Sequence, residues 1–256
     1  VAPTKTGYTF SGWFIDGEKI TPYLFETNKV TNSFTLYAKW DVVSYQISYA
    51  NLELASHSNP LTYTIESNTF TLESPTARTG YDFMGWYDAL TEGNKVETIV
   101  KGTTGNKTLY ARWEAIGYTI TYQNLFEQTH TNPASYVVTT PSIVLSNPTN
   151  RLGYTFSGWY DTLTGGTKVN SIDLGSTGNK TLYARWEVET YTLTYNDLNS
   201  TTHTNPLTYS IETPLIILTN PTERTGYSFD GWYNSQVGGT KVTQIVTNSA
   251  ENIVLY

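Results

Sequence analysis

Apolar and polar residues alternate with a period of two in several short segments of the chain. Residues 118–122 have the sequence Tyr-Thr-Ile-Thr-Tyr, and residues 191–195 repeat it with Leu at the centre. This alternation predicts half-buried β-strands. Asn-Pro pairs and Gly-rich stretches lie between these segments and favour turns. No segment of ten or more residues has the apolar spacing of a helix, although residues 91–101 are predicted to form one short helical turn. The predicted fold class is mostly β, and α+β at most.

The segments recur with a period of 73 residues. Gly-Tyr-x-Phe-x-Gly-Trp-(Phe/Tyr) begins at residues 7, 80, 153 and 226, and Leu-Tyr-Ala-(Lys/Arg)-Trp begins at 36, 109 and 182. We therefore divide the chain into the C-terminal part of a repeat (1–44), two full repeats (45–117 and 118–190) and a repeat truncated at its last strand (191–256). Because the sequence begins and ends inside a repeat, we expect the parent chain to carry more of them.

The links between repeats are short. Only four residues separate Trp113 from Tyr118, and four extended residues span at most about 14 Å. A globule of this repeat's size has a radius of gyration of about 11 Å, hence a diameter of about 29 Å. Neighbouring repeats are therefore predicted to contact each other as partners, and the tandem array is predicted to be an elongated, semi-rigid rod.

Composition excludes several function classes. Charged residues make up 14% of the chain, with a formal net charge of −7, against roughly 25% charged residues in an average soluble domain. No cluster of Lys and Arg suggests nucleic acid as a partner, and no apolar run suggests membrane insertion of this segment. The absence of Cys excludes disulfides, thiolate metal sites and Cys nucleophiles.

The recurrent aromatic residues and glycines are predicted to be structural. The core candidates are Trp13, Trp40, Trp86, Trp113, Trp159, Trp186 and Trp232. A glycine precedes a Trp at Gly85, Gly158 and Gly231, where it suits a β-bulge or a close approach by another backbone. The alternative is that Trp and Tyr form an exposed surface on which sugars stack.

The three histidines, His57, His130 and His203, also lie 73 residues apart. A metal site usually needs three or four converging ligands, and each repeat offers one His, so we expect a turn or inter-repeat contact and keep a metal role as the alternative. No Ser/His/Asp set or carboxylate pair recurs with the period. No catalytic residue, metal or cofactor is predicted, and the chain is predicted not to be an enzyme.

Two further motifs suggest covalent modification. Lys107 and Lys180 follow Asn in Gly-Asn-Lys-Thr, where an exposed turn is expected and an isopeptide cross-link to Asn or Asp is the alternative. The sequon for N-glycosylation begins at Asn106, Asn179 and Asn199. Such short motifs arise readily by chance.

Three spaced motifs resemble one known family. Residues 153–160 with Asp161, the turn at residues 165–169, and residues 182–186 resemble the signature of the Listeria–Bacteroides repeat, also known as the internalin B-repeat. The resemblance covers the whole chain in four copies. It implies a small β-grasp-like unit, arrayed in tandem on surface or secreted proteins, chiefly of bacteria, without enzymatic activity. Residues 15–35 depart from it because they lack Gly-Gly-Thr-Lys-Val, and Asn234 replaces the Asp of Asp88 and Asp161.

These expectations combine into one predicted function. The segment is predicted to be extracellular, at the cell surface or cell wall of a bacterium, and to act as a stalk or fibre element that projects or supports adhesion. Head-to-tail contacts between copies would extend such an array into a filament. The alternative is a multivalent adhesin module that binds host glycan or matrix protein through several weak sites.

Overall fold

The computed structural model describes all residues from 1 to 256 and contains 21 strands and no helix. The mostly β prediction is confirmed. The predicted helical turn at residues 91–101 is wrong. There the chain reverses direction and pairs with the preceding strand, because Val96 donates its N–H to Trp86 O, and residues 98–99 form a strand.

Contacts divide the chain into two compact units, residues 1–116 and 117–256. The strands of the first unit are β1 (Tyr8–Phe14), β2 (Tyr37–Val42), β3 (Ser44–Ala50), β4 (Thr62–Thr64), β5 (Phe70–Thr71), β6 (Tyr81–Tyr87), β7 (Thr98–Ile99) and β8 (Lys107–Ala115). Those of the second unit are β9 (Tyr118–Gln123), β10 (Ser135–Tyr136), β11 (Ile143–Val144), β12 (Tyr154–Tyr160), β13 (Ser171–Ile172), β14 (Lys180–Val188), β15 (Tyr191–Tyr195), β16 (Thr208–Tyr209), β17 (Ile216–Ile217), β18 (Trp232–Tyr233), β19 (Lys241–Val242), β20 (Gln244–Ile245) and β21 (Ile253–Leu255).

Two four-stranded mixed sheets have the same topology. Their strand orders are β4-β3-β8-β6 and β10-β9-β14-β12. The two central strands of each sheet are parallel, and the outer pairs are antiparallel. A short antiparallel ladder, β5-β7 or β11-β13, accompanies each sheet. Because no helix is present, the β-grasp-like description stays a prediction.

The partial repeats preserve fragments of this arrangement. Strands β1 and β2 pair as β6 and β8 do, including the same irregularity in register. The last repeat forms the sheet β16-β15-β21, again with its first and last strands parallel. Its ladder β17-β20 corresponds to β5-β7.

Three hydrophobic cores lie along the chain, and their members recur in register. The first contains Ile47, Trp86, Leu109 and Ala111. All four have counterparts in the second core, and the first three have counterparts in the third. On β8 the inward positions Leu109 and Ala111 are buried while their neighbours are less so, as alternation requires. Fully burying one such large apolar side chain contributes roughly 1.5–3 kcal/mol.

Candidate functional site

The first Trp of each of the last three repeats lies in the core, and its indole nitrogen is hydrogen-bonded within the same repeat. Trp86, Trp159 and Trp232 are 2–3% exposed. The indole N–H groups donate to Glu73 O, Ser146 O and Thr219 O, each at 2.9 Å. A buried indole needs such a partner, so these three rings offer no face or polar group to a ligand.

The other Trp residues are less buried than a core position implies. Trp113 and Trp186 are half-buried and pack against the core from its edge, and they donate to Asn51 O and Asn124 O at 3.0 and 3.1 Å. Trp13 and Trp40 in the first partial repeat are also half-buried. Both contact Phe10, each with a centroid separation of 5.4 Å.

The glycine before the first Trp lies at a β-bulge. Between Phe83 and Gly85 the register of β6 against β8 shifts, and Gly85 has φ of 130°, a region that disfavours side chains. Another chain segment does approach closely, but it is the alkyl chain of Lys95 and not a backbone. Gly158 with Lys168, and Gly231 with Lys241, have the same relationship.

Each histidine packs against aromatic residues of its own repeat. The His57 ring lies 4.0 Å from Tyr49 and 5.8 Å from Trp86, centroid to centroid, and His130 and His203 repeat this arrangement. The Tyr49 hydroxyl donates to Pro60 O at 3.0 Å, and burial raises the pKa of Tyr49 to about 12. No group of three His, Cys, Asp or Glu side chains converges anywhere in the chain.

The Asn that follows each His by two residues connects two backbone segments. Asn59 accepts the N–H of Glu73 at 2.6 Å and donates to its carbonyl at 2.8 Å, in the way that a neighbouring strand would. Asn132 and Asn205 make the same pair of bonds, with Ser146 and Thr219. An Asn before Pro is typical of a turn, and the exact recurrence of these three residues is the sequence signal of their structural role.

Two other asparagines connect the parallel central strands. Asn106 accepts the N–H of Gln46 at 2.9 Å, and Asn51, with φ of 60°, donates to Ala111 O at 2.7 Å. Asn179 and Asn124 repeat these bonds in the second full repeat. Asn252 accepts from Thr192 N in the same way without belonging to a sequon, so strand pairing alone accounts for Asn at this position.

The remaining candidates for modification differ in their surroundings. Lys107 and Lys180 are half-buried first residues of β8 and β14. The chain has one ion pair, and it joins Lys95 to Glu97 at 3.6 Å. Asn199 lies exposed in a loop and donates to Asp197 O at 2.7 Å.

The loop that follows the first Trp of a repeat is closed by a hydrogen bond to a side-chain oxygen. Asp88 accepts the N–H of Asn94 at 2.7 Å, which holds the pKa of Asp88 below its usual value. Asn234 accepts from Thr240 N at 2.8 Å, so the replacement of Asp by Asn preserves this bond. In the divergent segment at residues 15–35, Asp16 accepts two backbone N–H groups. A loop of different sequence is therefore also closed by a side-chain carboxylate.

Within each unit, adjacent repeats contact each other through one recurring set of residues. The backbone of Gly7 lies against Ile65, and the Tyr8 hydroxyl donates to Glu66 at 2.5 Å. In the other unit Gly153 lies against Ile211, and Tyr154 donates to Glu212 at 2.7 Å. A Cβ on Gly7 would come within 2.8 Å of Ile65, so this close approach requires glycine.

A groove of about 850 Å³ lies in the last repeat beside Arg224, Tyr227 and Phe229. In the preceding repeat, the corresponding strand β12 pairs with β14 along this side. The groove contains no convergent set of acidic and histidine ligands. No helix of the chain has the length and apolarity needed to cross a membrane.

The comparisons with known proteins agree with the repeat arrangement. The profile described as Listeria-Bacteroides repeat domain matches residues 1–39, 45–112, 118–185 and 191–256. A protein of Evansella cellulosilytica described as a Gly-rich membrane protein is 30% identical over 92% of this chain and 26% of its own length. Another membrane protein of that organism is 30% identical over 92% of this chain and 35% of its own length.

A relative with a more specific name covers less of the chain. Internalin H of Listeria monocytogenes is 41% identical over 41% of this chain and 19% of its own length. The chain thus spans between a fifth and about a third of the curated relatives named here. No solved structure matches it. The four profile matches cover most of the sequence, and the chain therefore belongs to the Listeria-Bacteroides repeat domain family.

Proposed function

We propose that this chain is a structural tandem-repeat segment of an extracellular, surface-associated bacterial protein. Its role is that of a semi-rigid stalk or fibre element, which holds other parts of the protein away from the cell and so supports adhesion. The names of its relatives, an internalin and two membrane proteins, support a location at the cell envelope.

The recurring contact between adjacent repeats is the observation that carries this proposal. Gly7–Ile65 and Tyr8–Glu66 in one unit match Gly153–Ile211 and Tyr154–Glu212 in the other. This contact combines a close approach that requires glycine with a hydrogen bond between the two repeats. Together they fix one orientation of the two repeats. Fixed orientation is what a spacer requires, since a flexible link would let the repeats fold back.

The use of the polar side chains supports the same role. In the first full repeat, Asn51, Asn59, Trp86 and Asp88 all bond to backbone of that repeat. Side chains that bond to backbone in this way stabilise the fold. The repeated residues therefore serve the fold, which favours a structural role over catalysis.

Small-angle X-ray scattering of the 256-residue chain tests the proposal. A compact globule of this length has a radius of gyration of about 18 Å, and we expect a clearly larger value with a distance distribution typical of an elongated particle. The matched variant Gly153→Ile should broaden that distribution by disturbing one junction. A radius of gyration close to that of a compact globule would overturn the stalk role.

A multivalent adhesin module is the second candidate. A cation–tyrosine contact recurs at the same position of each repeat, as Arg78 lies 3.9 Å from the centroid of Tyr81 and Arg151 lies 3.6 Å from that of Tyr154. Several identical weak sites of this kind would bind host glycan or matrix protein with avidity. A reproducible signal on glycan or matrix arrays that is lost in Arg78→Ala with Arg151→Ala would favour it, and silence would leave the spacer.

A further inference from the structure

The first and last strands of each repeat are neighbours and run parallel. In the first full repeat Ile47 of β3 is level with Lys107 of β8, and Ala50 is level with Tyr110. Strands β9 and β14 have the same register in the second full repeat, and β15 pairs with β21 in the last. The two ends by which a repeat joins the rest of the chain thus leave from the two central strands.

This arrangement determines how a pulling force loads the repeat. The force enters at the start of β3 and leaves at the end of β8, at opposite ends of the parallel pair, so it acts along the strands. Rungs of a parallel ladder are evenly spaced, and they resist such a force together. If the force acted across the strands, the same rungs would break one at a time.

The connections between repeats carry force without slack. One residue lies between β2 and β3, and two residues lie between β8 and β9 and between β14 and β15. A load on the chain therefore reaches the central strand pair of every repeat in series.

Side chains extend the ladder beyond its backbone rungs at both ends. At the start, Asn106 accepts the N–H of Gln46 at 2.9 Å. At the far end, Asn51 donates to Ala111 O at 2.7 Å, and Trp113 donates to Asn51 O at 3.0 Å. The second full repeat carries the same three bonds through Asn179, Asn124 and Trp186.

The apolar side chains of these strands add to the resistance. Ile47 is 3% exposed, Leu109 1% and Ala111 not at all, and all three belong to one core. Sliding β8 along β3 would pull these side chains out of that core and into water, where apolar surface is unfavourable. Both kinds of contact therefore oppose the same motion.

We propose that each repeat is a load-bearing element whose central parallel strands form a shear clamp, with Asn51, Asn106 and Trp113, and their equivalents, as extra rungs. The inference rests on the proposed stalk function and states what the stalk withstands, namely tension between the cell and whatever its far end holds. Resistance to force is set by the rate of unfolding and not by equilibrium stability. The clamp residues are consequently expected to govern that rate under load.

Pulling the 256-residue chain by its two ends in a single-molecule force experiment tests the role of the rungs. Each full repeat should unfold in one step that lengthens the chain by about 250 Å. In Asn51→Gly with Asn124→Gly, which keeps the backbone conformation accessible, the unfolding rate at a given force should rise several-fold to about tenfold. Asn106→Ala with Asn179→Ala is the second clamp variant, in case the first fails to fold.

The matched control removes bonds that lie outside the clamp. Asn59→Ala with Asn132→Ala breaks the bonds to Glu73 and Ser146, which do not join the first strand to the last. Chemical denaturation first establishes how far each variant loses equilibrium stability. For variants with the same loss of equilibrium stability, the clamp variants should unfold faster under load than the control. Equal unfolding rates under load would overturn the role of the rungs.

Pulling direction tests the clamp itself. Because the chain has no Cys, pairs of exposed residues can be replaced as attachment points. Ser44→Cys with Glu114→Cys loads β3 and β8 in shear, whereas Ser44→Cys with Thr104→Cys holds both strands by the same end and unzips them. We expect a clearly higher unfolding force for the first pair. Equal or reversed forces would overturn the clamp, while the scattering experiment would still decide the stalk independently.

Discussion

The Tyr154 hydroxyl donates to the carboxylate of Glu212 at 2.7 Å, across 58 residues of sequence and between two adjacent repeats. Tyr8 and Glu66, at the same separation in sequence, make the same bond at 2.5 Å. The hydrogen bond to Glu212 raises the pKa of Tyr154. The Tyr154 hydroxyl therefore keeps its proton at neutral pH and remains a donor.

Removing this hydroxyl should loosen the junction and leave the repeats folded. In Tyr154→Phe the ring remains and one exposed hydrogen bond is lost, so the free energy of unfolding should fall only slightly. Amide hydrogen exchange should quicken around residues 210–213, next to Glu212. Tyr160→Phe, which removes a hydroxyl outside the junction, is the control, and equal exchange in the two variants would argue against a role for the bond.

The bulge glycine should be among the least replaceable residues of the repeat. In Gly158→Ala the new Cβ collides with the alkyl chain of Lys168. The alanine must also adopt φ of 139°, which disfavours a side chain. Backbone strain of this kind costs about 1–3 kcal/mol. Urea denaturation should show at least that loss of stability.

A second substitution separates the two causes. Shortening the neighbour in Gly158→Ala with Lys168→Ala removes the collision and leaves the strain, so the double variant should recover part of the lost stability. No recovery would mean that strain alone requires glycine here. Full recovery would mean that the approach of Lys168 alone requires it.

The fold could be predicted as far as local pattern determines it. Alternation at residues 118–122 predicts the half-buried strand β9, and Gly85 before a Trp predicts the bulge that β6 contains. The parallel pairing of β3 with β8 could not be predicted, since a half-buried strand alternates in the same way whether its neighbour is parallel or antiparallel. Strand order depends on contacts across some 60 residues, which periodicity does not record.

Periodicity indicates which residues recur but not what they contact. His57 was noticed for its period, yet its contacts with Tyr49 and Trp86 depend on three segments meeting. The sequence does not predict that Asn51 and Asn106 join the central strands, because Asn in a polar stretch is typical of a turn. Their bonds to distant backbone become visible only when the strands are assembled.

The two Trp classes should respond differently to substitution. Trp159→Phe removes one of the two donors to the carbonyl of Ser146 and opens space in the core, so the free energy of unfolding should fall by about 2–4 kcal/mol. Trp186→Phe affects a half-buried ring at the edge of the core and should cost about 1 kcal/mol. Urea denaturation measures both, and equal losses would show that both rings contribute as core residues.

Alkaline pH should unfold the repeats through their buried phenols. Burial raises the pKa of Tyr49, Tyr122 and Tyr195 to about 12, from 10.0 in an unfolded chain. A raised folded-state pKa contributes stability that is fully present below pH 10 and is lost as the pH rises towards 12, because the unfolded chain releases these protons first. Circular dichroism should therefore report unfolding within that interval, together with a delayed rise in tyrosinate absorbance. In Tyr122→Phe the amplitude of the delayed rise in absorbance should fall by the contribution of one tyrosinate. Titration of every tyrosine near pH 10 in the folded chain would contradict the burial of these hydroxyls beside the histidines.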